Sequence, residues 1–164
     1  MRNEYVSWEQ VNHNTQEIIR QMSAQNWKPD YVVGLTRGGL LPAMLISSYL
    51  DIPMETLRVS LRDHADTESN CWMAEDAFDG KNILIVDDIS DSGETLNWIR
   101  DDWESGCRPG SDKWHTVWND TVRVATLYDN QASESTIDVD YTANIINKID
   151  DDVWVIFPWE NWWK

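Results

Sequence analysis

Two adjacent carboxylates, Asp87 and Asp88, stand between four consecutive aliphatic residues, Ile83, Leu84, Ile85 and Val86, and a run of small and polar residues that includes Ser90, Asp91, Ser92, Gly93, Glu94 and Thr95. An unbroken aliphatic run predicts a strand buried on both faces of a parallel sheet, and open α/β sheets carry their ligands at the carboxyl ends of such strands. The two carboxylates therefore belong at a site. The small residues after them lead into a helix, so unbonded backbone N–H groups and the positive end of the helix dipole converge on one spot, an arrangement that holds phosphate. A Walker loop is excluded, because Gly-x-x-x-x-Gly-Lys-Ser/Thr is absent and the stretch contains no lysine. Carboxylates that can accept from sugar hydroxyls, next to an anion cradle, fit a ribose 5-phosphate.

A second strand, at 31–35, runs into Thr36-Arg37-Gly38-Gly39. Paired glycines let the backbone approach a ligand, and Arg37 adds a planar forked cation. If both strands are parallel, Arg37 and Gly38 lie on the same sheet edge as Asp87 and Asp88.

The elements that must position these groups follow from periodicity. Ser7 and Gln10 form a capping box ahead of a helix reaching about Gln25, a second helix covers 40–50, and a third runs from Gly93 to about Ser105. Further strands are expected at 56–61, 122–128, 141–146 and 153–157. Strands alternating with helices predict an α/β fold, a central parallel sheet flanked by helices, with the chain ends building a small hood over its carboxyl edge. The chain of 164 residues is read as one domain spanning 1–164. The polar stretch 62–81 reads as a mobile lid loop, and 107–120 as an insertion without an assigned role.

A formal net charge of -16 argues against a nucleic-acid partner and against an anionic membrane surface. Phosphate binding must then rest on backbone N–H groups, a few placed cations and a metal. Cys71 and Cys107 have no ligand spacing and fit reduced thiols, and no apolar run of spanning length occurs, so a cytoplasmic location is expected. The 11 tryptophans are expected to pack in the core or at interfaces, with Trp154 set apart.

At residues 83–96 the chain resembles the type I phosphoribosyltransferases, which share the strand, the acidic pair and an Asp-Thr/Ser-Gly-x-Thr loop. Residues 5–8, 27–28, 36–40 and 153–160 are similar to the bacterial xanthine-guanine branch in the same order. This resemblance implies that Asp87 and Asp88 hold the ribose diol of phosphoribosyl pyrophosphate, with Asp88 also near Mg²⁺. It implies that Ser92, Gly93, Glu94 and Thr95 wrap the 5-phosphate, Ser90 and Asp91 completing the same binding stretch, and that Arg37 and Gly38 hold the pyrophosphate across a Thr36–Arg37 peptide that is often cis. Trp154 would stack on the base while the main chain of Val155 reads its exocyclic groups, and Asp91 would act as general base on the purine. The implied partners are phosphoribosyl pyrophosphate and a nucleobase in a homo-oligomeric enzyme of purine salvage.

Departures from the family pattern fall on the base side and the lid. Asn130 stands where the family has a base-reading lysine, Leu61-Arg62 where its lid has Ser-Tyr, and Ile156 at an acidic position; 63–80 holds no Lys or Arg. Two other readings share the fold: a regulatory protein that senses phosphoribosyl pyrophosphate or nucleotides without turnover, and a transferase for a non-purine base.

Overall fold

From the amino end the chain runs β1 (Arg2–Tyr5), α1 (Trp8–Ala24), β2 (Tyr31–Thr36), α2 (Leu40–Leu50), β3 (Met54–Ser60), β4 (Asp66–Thr67), α3 (Cys71–Phe78) and β5 (Ile83–Ser90). It continues through α4 (Glu94–Gly106), β6 (Val122–Asn130), β7 (Tyr141–Ile146) and β8 (Val153–Ile156), with short 3-10 turns at Asp112–Thr116 and Pro158–Glu160. This computed structural model describes residues 1–60 and 66–164. The strand end at Leu61 and the lid's opening Leu61-Arg62 pair lie outside the described residues.

The central sheet has the order β4-β3-β2-β5-β6-β7 and is parallel except where the short β4 pairs antiparallel with β3. Register sets Gly34 beside Val86 and Val86 beside Ala125, so β2, β5 and β6 end on a common edge. Side chains alternate across β5. Ile83 and Ile85 enter one apolar cluster with α3 and α4, while Leu84 and Val86 enter a second with α1 and α2. Burial on both faces explains why this strand reads as an unbroken aliphatic run. The capping box forms as expected: Ser7 N donates to Gln10 Oε1 at 2.7 Å and Gln10 N to Ser7 Oγ at 3.1 Å.

The chain ends pair with each other, β1 lying parallel to β8 with Arg2 opposite Val153 and Tyr5 opposite Ile156. This two-stranded piece carries Trp154 and Val155.

One expectation is corrected. The helix α3 occupies much of the stretch read as a lid: Asn70 caps it by accepting from Met73 N at 2.9 Å, and Met73, Ala74, Ala77 and Phe78 are buried against the sheet. Those four residues have helical spacing, but two are alanines and the flanks are acidic, which hides the pattern. Residues 107–120, read as an insertion without an assigned role, contribute to the core. Cys107, Trp114, Val117 and Trp118 belong to the same core cluster as α3 and α4. The Trp114 ring stacks on Trp118 at 6.0 Å and meets Phe78 edge-on at 5.5 Å, and its Nε1 donates to Cys107 O at 3.0 Å. The segment fills the space beneath α3 and α4 with aromatic volume, which tolerates polar residues on its outer side. Cys71 is exposed, Cys107 is buried, and neither forms a disulfide. No described helix is long and apolar enough to cross a membrane.

Candidate active site

A cavity of about 680 Å³ opens at the shared carboxyl edge, between the ends of β2 and β5 on one side and the β1–β8 piece on the other. On the β2 side the peptide Thr36–Arg37 is cis. A β-carbon on Gly38 would lie 2.2 Å from Asp88 Oδ2, and one on Gly39 would lie 2.1 Å from Val86 O. Only glycine lets this turn press against the end of β5. The close approach brings Arg37 and the acidic pair onto the same cavity.

On the β5 side Asp87 Oδ1 accepts from Asp88 N at 2.8 Å, and Asp88 Oδ1 accepts from Ile89 N at 2.7 Å. These bonds fix both carboxylates against their own backbone. Gly93 turns the chain with φ 92° into α4, and its space is closed by the β6–β7 connection, where an added Cβ would meet Ser135 N at 2.4 Å. Glu134 N donates to Ser92 O at 2.9 Å, and Asn97 Nδ2 donates to Glu134 O at 3.0 Å, so the loop is braced from behind. The amino end of a 13-residue helix then faces the cavity, as anion binding requires.

Arg37, Gly38, Asp87, Asp88, Ser90, Asp91, Ser92, Gly93, Glu94, Thr95, Trp154 and Val155 all line this cavity. Asn130 does not. It is only 6% exposed, and its amide is committed on both ends. Its Nδ2 donates to Asp91 O at 3.1 Å and to Asp91 Oδ1 at 3.2 Å, while its Oδ1 accepts from Ala132 N and from Lys148 N, both at 3.1 Å. The structure thus gives Asn130 a different place from the base-reading one expected of it: outside the cavity lining, it ties strand β6 to the site loop. The reason is length. The amide stem is too short to pass Asp91 and folds onto the backbone around it.

The cation on this side is Lys148, which sequence reasoning missed. It reaches in from the turn after β7, placing Nζ 2.9 Å from Asp91 Oδ2 and 5.0 Å from the centre of the Trp154 ring. Its one sequence signal was isolation, since no other Lys or Arg occurs between Arg123 and Lys164. Behind Trp154, Phe157 stacks on Trp159 at 5.1 Å with an interplanar angle of 2°, which stiffens the aromatic wall. Glu160, also unforeseen, lines the cavity and accepts from Phe157 N.

The arrangement offers an anion cradle, a carboxylate pair and a forked cation on one half, and an indole face with an ion pair on the other. Comparison with known proteins finds relatives over nearly the whole chain. The model of the phosphoribosyl transferase domain matches residues 2–160. A xanthine-guanine phosphoribosyltransferase of Cereibacter sphaeroides is 30% identical over 95% of this chain and 86% of its own length, and one from Idiomarina loihiensis is 27% identical over the same shares. Among solved structures, a purine phosphoribosyltransferase from Pyrococcus horikoshii aligns with a TM-score of 0.66 over 97% of this chain and 95% of its own at 23% identity. A hypothetical protein from Neisseria gonorrhoeae with bound ppGpp aligns with a TM-score of 0.69 over 97% and 89% at 19% identity; at such identities both likenesses speak to the fold. With a model match that runs over nearly the whole chain, the protein belongs to the phosphoribosyl transferase domain family.

Proposed function

We propose that the protein transfers the phosphoribosyl group of phosphoribosyl pyrophosphate to a purine base in nucleobase salvage, giving a nucleoside 5′-monophosphate and pyrophosphate. The observation that carries this reading is that one cavity joins the Asp87–Asp88 pair and the Ser92–Thr95 cradle to Trp154. The cradle takes the 5-phosphate, the acidic pair takes the ribose hydroxyls, and Arg37 with the Gly38 backbone takes the pyrophosphate. As the bond to pyrophosphate breaks, positive charge grows on the sugar above the carboxylates and negative charge grows beside Arg37. Both are stabilised by groups already in place. The adjacent carboxylates Asp87 and Asp88 on the cavity fit Mg²⁺, a hard ion that keeps several waters and uses one or two carboxylates plus substrate oxygens. Asp88 with Asp87 would hold it, and it would supply further neutralisation of pyrophosphate charge.

On the acceptor side the base stacks on Trp154, the main chain of Val155 meets its exocyclic groups, and Asp91 receives the proton lost from the purine. Lys148 is the cation within reach of a 6-oxo group, which favours hypoxanthine, guanine and xanthine. The exposed Leu40, Met44 and Tyr49 on α2 support the homo-oligomer that belongs to this reading.

The test is pyrophosphate release from phosphoribosyl pyrophosphate and Mg²⁺ with each of several bases in turn. Turnover with an oxo purine, abolished by chelation of the metal, is the expected result. Nucleotide binding without turnover on any purine or pyrimidine would move the protein to the sensing class, and turnover with pyrimidines alone would change the acceptor.

A further inference from the structure

The Lys148–Asp91 contact places a cation directly on the carboxylate assigned as proton acceptor. Both side chains are largely enclosed, at 19% and 24% exposure, so the pair is weakly screened by water. The ammonium also lies over the Trp154 face, at 5.0 Å, where a stacked base must sit. Base stacking and the resting position of Lys148 therefore compete for one surface. Asn130 anchors both partners, holding Asp91 through its carbonyl and Oδ1 and the Lys148 backbone through its own carbonyl oxygen. The backbone positions are thus fixed, and the flexible element is the lysine stem.

Resting on the functional reading above, we infer that Lys148 masks Asp91 in the base-free enzyme and that an acceptor carrying an oxo group opens the pair. The incoming base displaces the ammonium from the indole. An oxo oxygen gives Nζ a new charge-assisted partner, so the ion pair is exchanged for another interaction of similar kind, and Asp91 is left able to accept the purine proton. An amino group offers Nζ no acceptor at that position. The ammonium then stays on Asp91, and the base that does stack meets a neutralised proton acceptor. Selection acts on the chemical step as well as on binding, with Lys148 as the specificity-determining residue and Asn130 as a positioning residue.

Two measurements test this. In Lys148→Met, which keeps the apolar stem, kcat/KM for hypoxanthine should fall by about 10- to 100-fold through loss of the charge-assisted bond, while kcat for adenine should rise above the parent value. A lysine that only contacts the oxo group would lower the oxo purines and leave adenine's kcat unchanged, and that result overturns the inference. The second measurement needs no turnover: crystal structures of the parent with inosine and with adenosine 5′-monophosphate. Separation of Nζ from Asp91 Oδ2 with the first and its retention with the second supports the exchange; a pair that persists with inosine 5′-monophosphate overturns it even where Lys148→Met fails to fold. Inactivity of the parent on every base would overturn the transferase reading, and with it this role for Lys148, whereas an active parent with the wrong adenine response overturns this role alone.

Discussion

The two halves of the cavity are built in opposite ways. The half proposed to hold the phosphoribosyl group comes mostly from one stretch, in which a buried strand, two carboxylates, a tight turn and a helix start follow each other without interruption. The half proposed to hold the base is assembled from Asp91, Lys148 and Trp154 with Asn130 behind them, where hydrogen bonds bridge 39 and 57 positions of sequence. A contiguous half is held by local backbone geometry and tolerates few changes. An assembled half is held by side chains that can be supplied from another element, as the cation supplied by Lys148 from the turn after β7 illustrates.

The largest effect is expected where the halves meet. Asp91→Asn keeps the shape and the Asn130 contacts but removes the proton acceptor, and turnover should fall by about 10²- to 10⁴-fold with little change in affinity for phosphoribosyl pyrophosphate. Steady-state kinetics with direct binding measurements separates the two; a variant with parental turnover would remove Asp91 from the chemistry and break the division of labour.

Within the contiguous half, Gly93→Ala forces a methyl against the Ser135 backbone at 2.4 Å and strains a residue at φ 92°. Overpacking and left-handed strain together should cost about 2 to 5 kcal/mol and weaken phosphoribosyl pyrophosphate binding. Urea denaturation and titration calorimetry read both, and unchanged phosphate affinity would show that the loop's geometry is less demanding than its close contacts imply.

The assembled half is probed at Asn130. Its replacement by Ala leaves the N–H groups of Ala132 and Lys148 and the Asp91 carbonyl without their present partner, at an expected cost of about 1 to 3 kcal/mol. Replacement by Lys should destabilise the fold for lack of space rather than restore base reading. If Asn130→Lys instead shifts the preference between oxo and amino purines while remaining stable, the side chain reaches the base after all.

The smallest effect belongs to Ser7→Ala, which removes one partner of the α1 capping box and lines neither half of the cavity. About 1 kcal/mol of stability should be lost with all kinetic constants unchanged. A kinetic response would mean that α1 transmits to the site.

Residue types alone determined the phosphoribosyl half. Aliphatic residues at 83–86 could be satisfied only by burial on two faces, and Gly38, Gly39 and Gly93 answered backbone demands that no other residue meets. These are local constraints, so the fold class, the sheet edge and 10 cavity-lining residues, Arg37 to Thr95, were legible in the sequence, whereas Trp154 and Val155 came from family likeness. The cis Thr36–Arg37 peptide came from family likeness rather than from any local rule. What only the tertiary structure decided was which distant side chains share a surface. Helix α3 was hidden because alanines and acidic flanks dilute its apolar face, and the tryptophans of 107–120 revealed their role only once Phe78 and Trp103 stood next to them. Asn130 was expected at the base and Lys148 was not foreseen for the same reason: position along the chain does not give reach, which depends on stem length and on where an element ends. A lysine on the turn after β7 meets Asp91 with its long stem, and an asparagine with a single methylene meets the same carboxylate from the end of β6.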